Sequence, residues 1–350
     1  ISNMQQGAEP GMAKSKVSVV ETGDVVALSR MDEGKAGDLL YAGGASDADY
    51  WPGSPLPLFS QAVFAKDRKD DVKLTESLRK ICEEDPSLII DQSADTHEML
   101  LRGQGDVHIH LAVERLKRKF DLELSSKSPQ VPYKETIKKS TNQHTRFKRQ
   151  SGGHGQFADI KVDIKPLPRG SGVQFDDTIV GGVVPKNYIP AVEAGVRDNM
   201  SRGPLGFTVV DLHVTLVDGQ HHAVDSSDQA FRTAGRMAMT EGLQACNPVL
   251  LEPINDVQIV VPNAYTSKVQ RAVTQRRAQI QGFDARDGWN GWDQINAHIP
   301  AAEMQDLITE IRSLSLGIGT FEAKFSHFQE LTGRDADRVD NARKDALDSH

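Results

Sequence analysis

The chain has 350 residues, 38% of them hydrophobic, with two cysteines and a formal charge of −8. That length makes room for two to four domains, and the acidic balance argues against a protein that coats nucleic acid over its whole surface. No run approaches the ~18 apolar residues needed to span a membrane, and the first residues lack the basic-then-apolar order of a signal peptide.

Cys82 and Cys246 sit far apart in helical patterns and read as buried, reduced thiols, which makes the cytoplasm the default location. The chain begins at Ile1 rather than Met and is expected to be a piece of a longer one. Charge is uneven: Lys134, Lys138, Lys139, Arg146, Lys148 and Arg149 lie together against one acid, Glu135, while acids concentrate in the first fifty residues and after Glu330.

Residues 1–50 carry two Gly-Asp turns, Gly23-Asp24 and Gly37-Asp38, with short strands expected at Val17–Val20 and Val25–Leu28. So few strands cannot close a barrel, and the segment reads as the remnant of a β-domain. Trp51–Pro57 is a linker by composition. From Leu58 the expected order is β-α-β-β-α-β. A strand at Leu58–Phe64 precedes a helix at Asp70–Glu84, which places Val72, Leu74, Leu78, Ile81 and Cys82 on one side and stops at Asp85-Pro86. Strands follow at Ser87–Ile90 and Glu98–Leu101. A helix at Asp106–Phe120 has a basic last turn that suits the helix dipole, and a strand at Leu122–Leu124 closes the unit.

In the middle region, Tyr133–Thr141 and Arg146–Ser151 read as one long strand or hairpin arm. Its partner is Gln156–Ile164, after the turn Gly152-Gly153-His154-Gly155. Helices are expected at Ile189–Met200 and Ser227–Ala245, with a strand at Val209–Val217 between them. The β-α-β-β-α-β order then recurs: Val257–Val261, Ala264–Arg277, Ala278–Phe283, Asp293–Ile299, Pro300–Leu314 with Pro at its first position, and Thr320–Phe328. The expected fold class is therefore α+β and multidomain, with two ferredoxin-like units flanking a middle α/β domain.

A nucleotide-binding Gly-x-x-x-x-Gly-Lys-Ser/Thr loop is absent from the sequence. Gly152-Gly153-His154-Gly155 lies between two strands, where glycines serve a tight turn at positive φ. His108-x-His110 on a helix faces two directions and reads as one packed and one exposed histidine. His221-His222 follows the Asp218-Gly219 turn and precedes a helix whose expected capping box is Ser226 with Gln229. That anchors the loop and presents both histidines, either to a ligand or to solvent. Arg146, Lys148 and Arg149 lead into the glycine turn and Gln156. This is either a solvated basic hairpin or an RNA contact, in which small residues admit backbone and cations offset phosphate. Arg276-Arg277 and Arg312 end helices, as caps or as contacts to RNA or protein.

Four runs then resemble elongation factor G: Arg149–Phe157, Gly181–Val192, Val224–Ser227 and Asn247–Pro253. The resemblance covers about residues 17–329. It implies that 1–50 is a remnant of β-barrel domain II, 55–128 domain III, 129–253 a ribosomal-protein-like domain IV, 254–329 domain V, and 330–350 an acidic tail. It also implies that the GTP-binding domain, with its GTP and Mg, lies outside this chain, so that this part holds no cofactor and does no chemistry of its own.

The family moves tRNA and mRNA through the ribosome. Carried over by position, Gly152, Gly153, His154, Gln156, His221 and His222, with Lys148 and Arg149, would meet the codon–anticodon helix in the decoding site. Arg312 would face the large subunit near the sarcin–ricin loop, and the chain would act as a monomer. Departures include His154 in place of the usual arginine, Gln220-His221 in place of Ser-Tyr, and Leu316-Gly317-Ile318 in place of Gln-Gly-Arg. They leave open a translocase, or a paralogue in recycling or an accessory role. A stand-alone ribosome-binding regulator and an RNA-acting enzyme built on the histidine loop stand as further alternatives.

Overall fold

The computed structural model describes residues 4–6, 15–17, 19–28, 34–40, 53–150 and 155–348. It divides into two units, one comprising Ile1–Pro57, Val63–Asp91 and Leu101–Ser126, the other Leu58–Ala62, Gln92–Leu100 and Lys127–His350. Three short strands, β1 (Met4–Gln6), β2 (Ser15–Val17) and β3 (Ala27–Leu28), form a small antiparallel sheet in the order β2-β1-β3. The expected strand at Val17–Val20 thus falls earlier, and Ser18 lies outside the described residues.

The β-α-β-β-α-β order is present in β4 (Phe59–Ala65), α1 (Asp71–Glu84), β5 (Ile89–Gln92), β6 (Met99–Gly103), α2 (Asp106–Phe120) and β7 (Leu124–Lys127). The sheet runs β5-β6-β4-β7. Leu74, Leu78 and Ile81 of α1 and Ile109, Ala112 and Leu116 of α2 are buried, at the spacing that puts them on one helix face. Val72, expected on that face, is exposed. Asp85 ends α1 in an extended conformation, as the residue before a proline prefers. Cys82 is only half-buried, and burial pushes its thiol up.

The histidine pair divides as the spacing requires. His108 is half-buried, its Nδ1 accepting the Gln104 N–H at 3.1 Å and its Nε2 lying 3.0 Å from Asp85. His110 is exposed beside Glu114. Burial alone would raise Asp85, but hydrogen bonds from Ser87 and His108 hold its carboxyl below the ordinary range. Gly103 admits this histidine, because a Cβ there would stand 2.9 Å from His108 Nδ1.

The middle region departs from the single long arm. β8 (Lys134–Ile137) and β9 (Thr141–Arg149) belong to different sheets. A turn at Lys138–Ser140 separates them, and Lys138 and Lys139 donate backbone N–H groups to Cys246 O. β9 pairs with β10 (Gln156–Pro166), and the sheet runs β11-β13-β10-β9 with β11 (Val173–Asp177) and β13 (Leu212–Gln220) parallel. The expected Val209–Val217 strand is broken at Asp211, which has φ 60°, into β12 (Thr208–Val209) and β13.

Helices α3 (Ile189–Met200) and α4 (Asp228–Ala245) pack against each other almost backbone to backbone. A Cβ at Gly195 would lie 2.1 Å from Arg232 O, and one at Gly235 2.7 Å from Val192 O. Their apolar faces bury Val192, Val196, Phe231, Ala234, Ala238 and Met239 against Ala158, Ile160, Val162 and Ile164 of β10. Cys246 follows α4, buried in this core, and burial pushes its thiol up to about 11.

Strand β14 (Pro248–Pro262) is 15 residues long and serves two domains. Its start pairs with β8, and its remainder pairs with β16 (Trp292–Pro300) and β17 (Thr320–Glu330). With α5 (Thr266–Gln275), β15 (Gln279–Ala285) and α6 (Leu307–Leu314) it forms the second β-α-β-β-α-β set, whose strands run β17-β14-β16-β15. The expected helix at Pro300–Leu314 is instead a short 3-10 turn, Ala301–Glu303, followed by α6. Asp306, at φ 58°, interrupts the two.

The acidic tail contains a helix, α7 (Gly333–Asp348). Among its described side chains, Asp335, Ala336, Val339, Asp340 and Arg343 are half-buried, a helical stripe that mixes charged and apolar members. Among the described residues no helix is long and apolar enough to cross a membrane.

Candidate nucleic-acid interface

Register in the β9–β10 hairpin is continuous from Thr141↔Ile164 to Arg149↔Gln156, so these strands deliver their ends to a tip. Gly152, Gly153 and His154, with Ser151, lie outside the described residues. Alternation puts His144, Arg146 and Lys148 on the exposed face of β9. Opposite them is Asp159, a carboxylate only 4% exposed. It accepts Arg146 Nε at 2.5 Å and lies 2.8 Å from His144 Nε2. Arg146 is thus committed to neutralising a buried acid, while Lys148, Arg149 and Gln150 are exposed beside the tip and Gln156 is half-buried.

The second loop runs from the end of β13 to α4. Ser227 caps α4, its Oγ accepting the Ala230 N–H at 3.2 Å. The expected cap, Ser226, does something else: its Oγ accepts the His222 N–H at 2.9 Å and donates to Phe157 O at 2.8 Å. Asp225 completes a clasp. It accepts the Gly155 N–H at Oδ1, 3.1 Å, and the Phe157 N–H at its carbonyl, 2.8 Å. Two segments about 70 residues apart are thereby stitched side by side. Asp225 was visible in the sequence as part of Val224–Ser227 but carried no role there, because nothing local marks a long-range acceptor.

Both histidines of this loop are exposed. His222 Nδ1 accepts the N–H groups of Val224 at 3.3 Å and Asp225 at 3.2 Å, which leaves Nε2 as the outward donor of the neutral ring. The same Nδ1 is 3.3 Å from Asp225 Oδ2. The ring meets Phe157 edge-on at 6.2 Å. His221 Nδ1 lies 3.2 Å from Val183 O. Tyr188 stacks on Phe231 at 4.8 Å and donates its hydroxyl to Ser226 O at 3.3 Å. The segment from Gly181 to Tyr188 therefore buttresses the loop from its other side. Lys161, hydrogen-bonded to Asp218 at 2.8 Å, holds that carboxyl below its ordinary value.

The arginines of the last domain divide. Arg276 donates to Glu310 and to the carbonyls of Glu303 and Gln305, and Arg277 grips Glu252 and Glu303. Both are internal ties rather than outward cations. Arg312 is half-exposed in the last turn of α6, whose end is closed by the Gly317 N–H on Arg312 O at 2.7 Å. Leu316 and Ile318, next to it, are exposed apolar side chains. Among the described residues no group of three His, Cys, Asp or Glu side chains is placed to hold a metal ion.

Known proteins share this arrangement. The family profiles "Elongation Factor G, domain III", "Elongation factor G, domain IV" and "Elongation factor G C-terminus" match residues 54–128, 129–247 and 249–339. A relative named "Elongation factor G-like protein", from Synechocystis sp. (strain ATCC 27184 / PCC 6803 / Kazusa), is 50% identical over 325 residues, covering 92% of this chain and 48% of the relative. A crystal structure of a Thermus thermophilus protein superposes with a TM-score of 0.83 at 32% identity, over 98% of this chain and 51% of that one. The chain thus spans about half the length of each. The matched domains are the family's non-GTPase domains, and no catalytic domain is among them. Three successive domains of one translation factor, in their family order along residues 54–339, make this chain a member of the elongation factor G family.

Proposed function

We propose that this chain is the ribosome-binding part of an elongation factor G-like translation factor, and that it promotes movement of tRNA and mRNA when joined to a GTPase domain. The observation that carries this reading is the clasp. Asp225 and Ser226 hold Gly155 and Phe157 against the histidine loop, which supports a reading in which Lys148, Arg149, Gln156, His221 and His222 act together. Such a set suits RNA: cations for phosphate, an amide and ring N–H groups for base edges or 2′-hydroxyls, and small tip residues for close backbone approach. In this reading Gly152, Gly153 and His154 enter the small-subunit decoding site beside the codon–anticodon helix. The Arg312 end of the last domain faces the sarcin–ricin loop.

In this reading the two β-α-β-β-α-β sets are ferredoxin-like domains III (55–128) and V (254–329), which flank the ribosomal-protein-like domain IV (129–253) in sequence, and residues 1–50 are the end of barrel domain II. GTP and Mg belong to the GTPase domain, and the protein works in the cytoplasm as a monomer. The exposed Leu316 and Ile318, where the family has polar and basic groups, favour a recycling or accessory role as the second reading.

Cosedimentation tests the proposal. The chain is expected to pellet with ribosomes at low salt, less so as salt rises, and Gln156→Ala with His222→Ala should weaken pelleting several-fold. A wild-type chain that stays in the supernatant at low salt would sink the reading.

A further inference from the structure

The carboxyl-terminal helix α7 holds two domains at once. Near its start, Asp335 lies 3.9 Å from Arg277, which also binds Glu252 of β14 and Glu303 of the last domain. Two turns later, Arg343 Nε donates to Gly206 O of the middle domain at 3.0 Å. Its guanidinium stands 5.4 Å from the centre of the Phe207 ring, which also meets Tyr133 edge-on at 5.9 Å. Glu135 fixes this loop, accepting the N–H groups of Leu205 and Phe207. At 1.5 Å per residue the two anchor points are about 12 Å apart.

The middle and last domains are also joined along a seam of strands. β14 runs through it, pairing with β8 over four positions before it enters the last sheet. Lys138–Glu330 at 2.5 Å and Lys134 over the Phe328 ring lie along the same strands. A seam of strands bends about its own line, and an anchor displaced from that line resists the bend. Arg343 lies beyond the stretch matched by the family's C-terminal profile, which ends at residue 339.

We propose that α7 is a brace that sets the angle between the tip-bearing domain and the last domain, with Arg343 as its positioning residue. The lever is long. β10 has 11 residues, about 36 Å of strand, so a ~10° change at the base displaces the tip by about 6 Å. The brace stands on the contacts alone, whereas its consequence on the ribosome rests on the function proposed above.

The test uses the full chain with Cys82→Ser, nitroxides at Lys148→Cys and Glu322→Cys, and the buried Cys246 left unlabelled. Distances are measured by electron–electron double resonance. Arg343→Ala is expected to broaden the distance distribution on the order of twofold, and to speed amide exchange at Leu205 and Phe207 on the order of fivefold. Arg343→Lys should restore part of both. Phe207→Leu, which removes the ring but leaves the helix, should reproduce the broadening. Distributions of wild type and Arg343→Ala that superimpose, with both proteins folded by circular dichroism, would overturn the brace. Cosedimentation of unlabelled chains that keep Lys148, with and without Arg343→Ala, separates the two claims: loss of ribosome binding in the wild type fails the function, while the distance measurement still judges the brace.

Discussion

Glu135 offers the sharpest test of the energetics. It sits on β8, 1% exposed, and accepts N–H groups from Leu205 at 2.9 Å and Phe207 at 3.1 Å. Burial pushes its carboxyl up to about 7; the backbone N–H groups oppose this and Asp340 adds to it. The folded value is raised above the ordinary 4.5, so the folded state binds the proton more tightly than the unfolded chain. Stability from this group is therefore fully present below about pH 4.5 and is lost as pH rises through about 7. The total is the difference between 4.5 and about 7 times about 1.4 kcal/mol, an upper value near ~3.5 kcal/mol, with about 2.5 kcal/mol of it falling between ~pH 5 and ~pH 8.

Glu135→Gln removes the titration but turns an NH2 group toward one backbone N–H, which costs about 1–3 kcal/mol. The variant should be the less stable protein at ~pH 5, and the gap should close or reverse by ~pH 8. Urea denaturation across that range measures both curves. Other titrating groups cancel in the difference. Two stability–pH curves that run parallel would refute the reasoning.

Arg277→Ala strips the partner from Glu252, which is 3% exposed and held by two guanidinium hydrogen bonds; a loss of about 3 kcal/mol is expected in chemical denaturation. Gly195→Ala drives a methyl to 2.1 Å from Arg232 O and should cost about 3 kcal/mol by forcing α3 from α4, whereas Gly53→Ala, with open space around it, should change stability by less than about 0.5 kcal/mol. Ser227→Ala removes the cap of α4 and should cost about 1 kcal/mol, while Gln229→Ala, which leaves that cap in place, should cost less.

The bounds of helices α2 and α3 were legible to the residue, although of the apolar residues along α2 Val107 and Leu111 are exposed and Ile109, Ala112 and Leu116 form the buried face. What escaped was set by partners distant in sequence. Lys134–Ile137 looks like the start of a hairpin arm, yet its ladder partner is Pro248–Leu251, and a turn anchored on Cys246 O diverts the chain. Alternation alone does not say which sheet a strand joins. The α7 segment hides its helix for another reason. Among its described side chains the half-buried stripe is mostly charged, and its attachments include Arg343 to Gly206 and Asp335 to Arg277, which hydrophobic periodicity does not register.

The same limit shaped the site. Glycines in Gly152–Gly155 read locally as turn formers, a matter of positive φ. Gly155 is constrained in a different way. Its N–H is bound by Asp225, and a Cβ there would stand 3.0 Å from that carboxylate's Cγ and Oδ1. The small residue is selected by the close approach of a second loop, not by the bend of its own. That distinction matters for the proposed function. The clasp fixes Gly155 and Phe157 beside Asp225 and Ser226, so in that reading less conformational entropy would be lost when RNA docks.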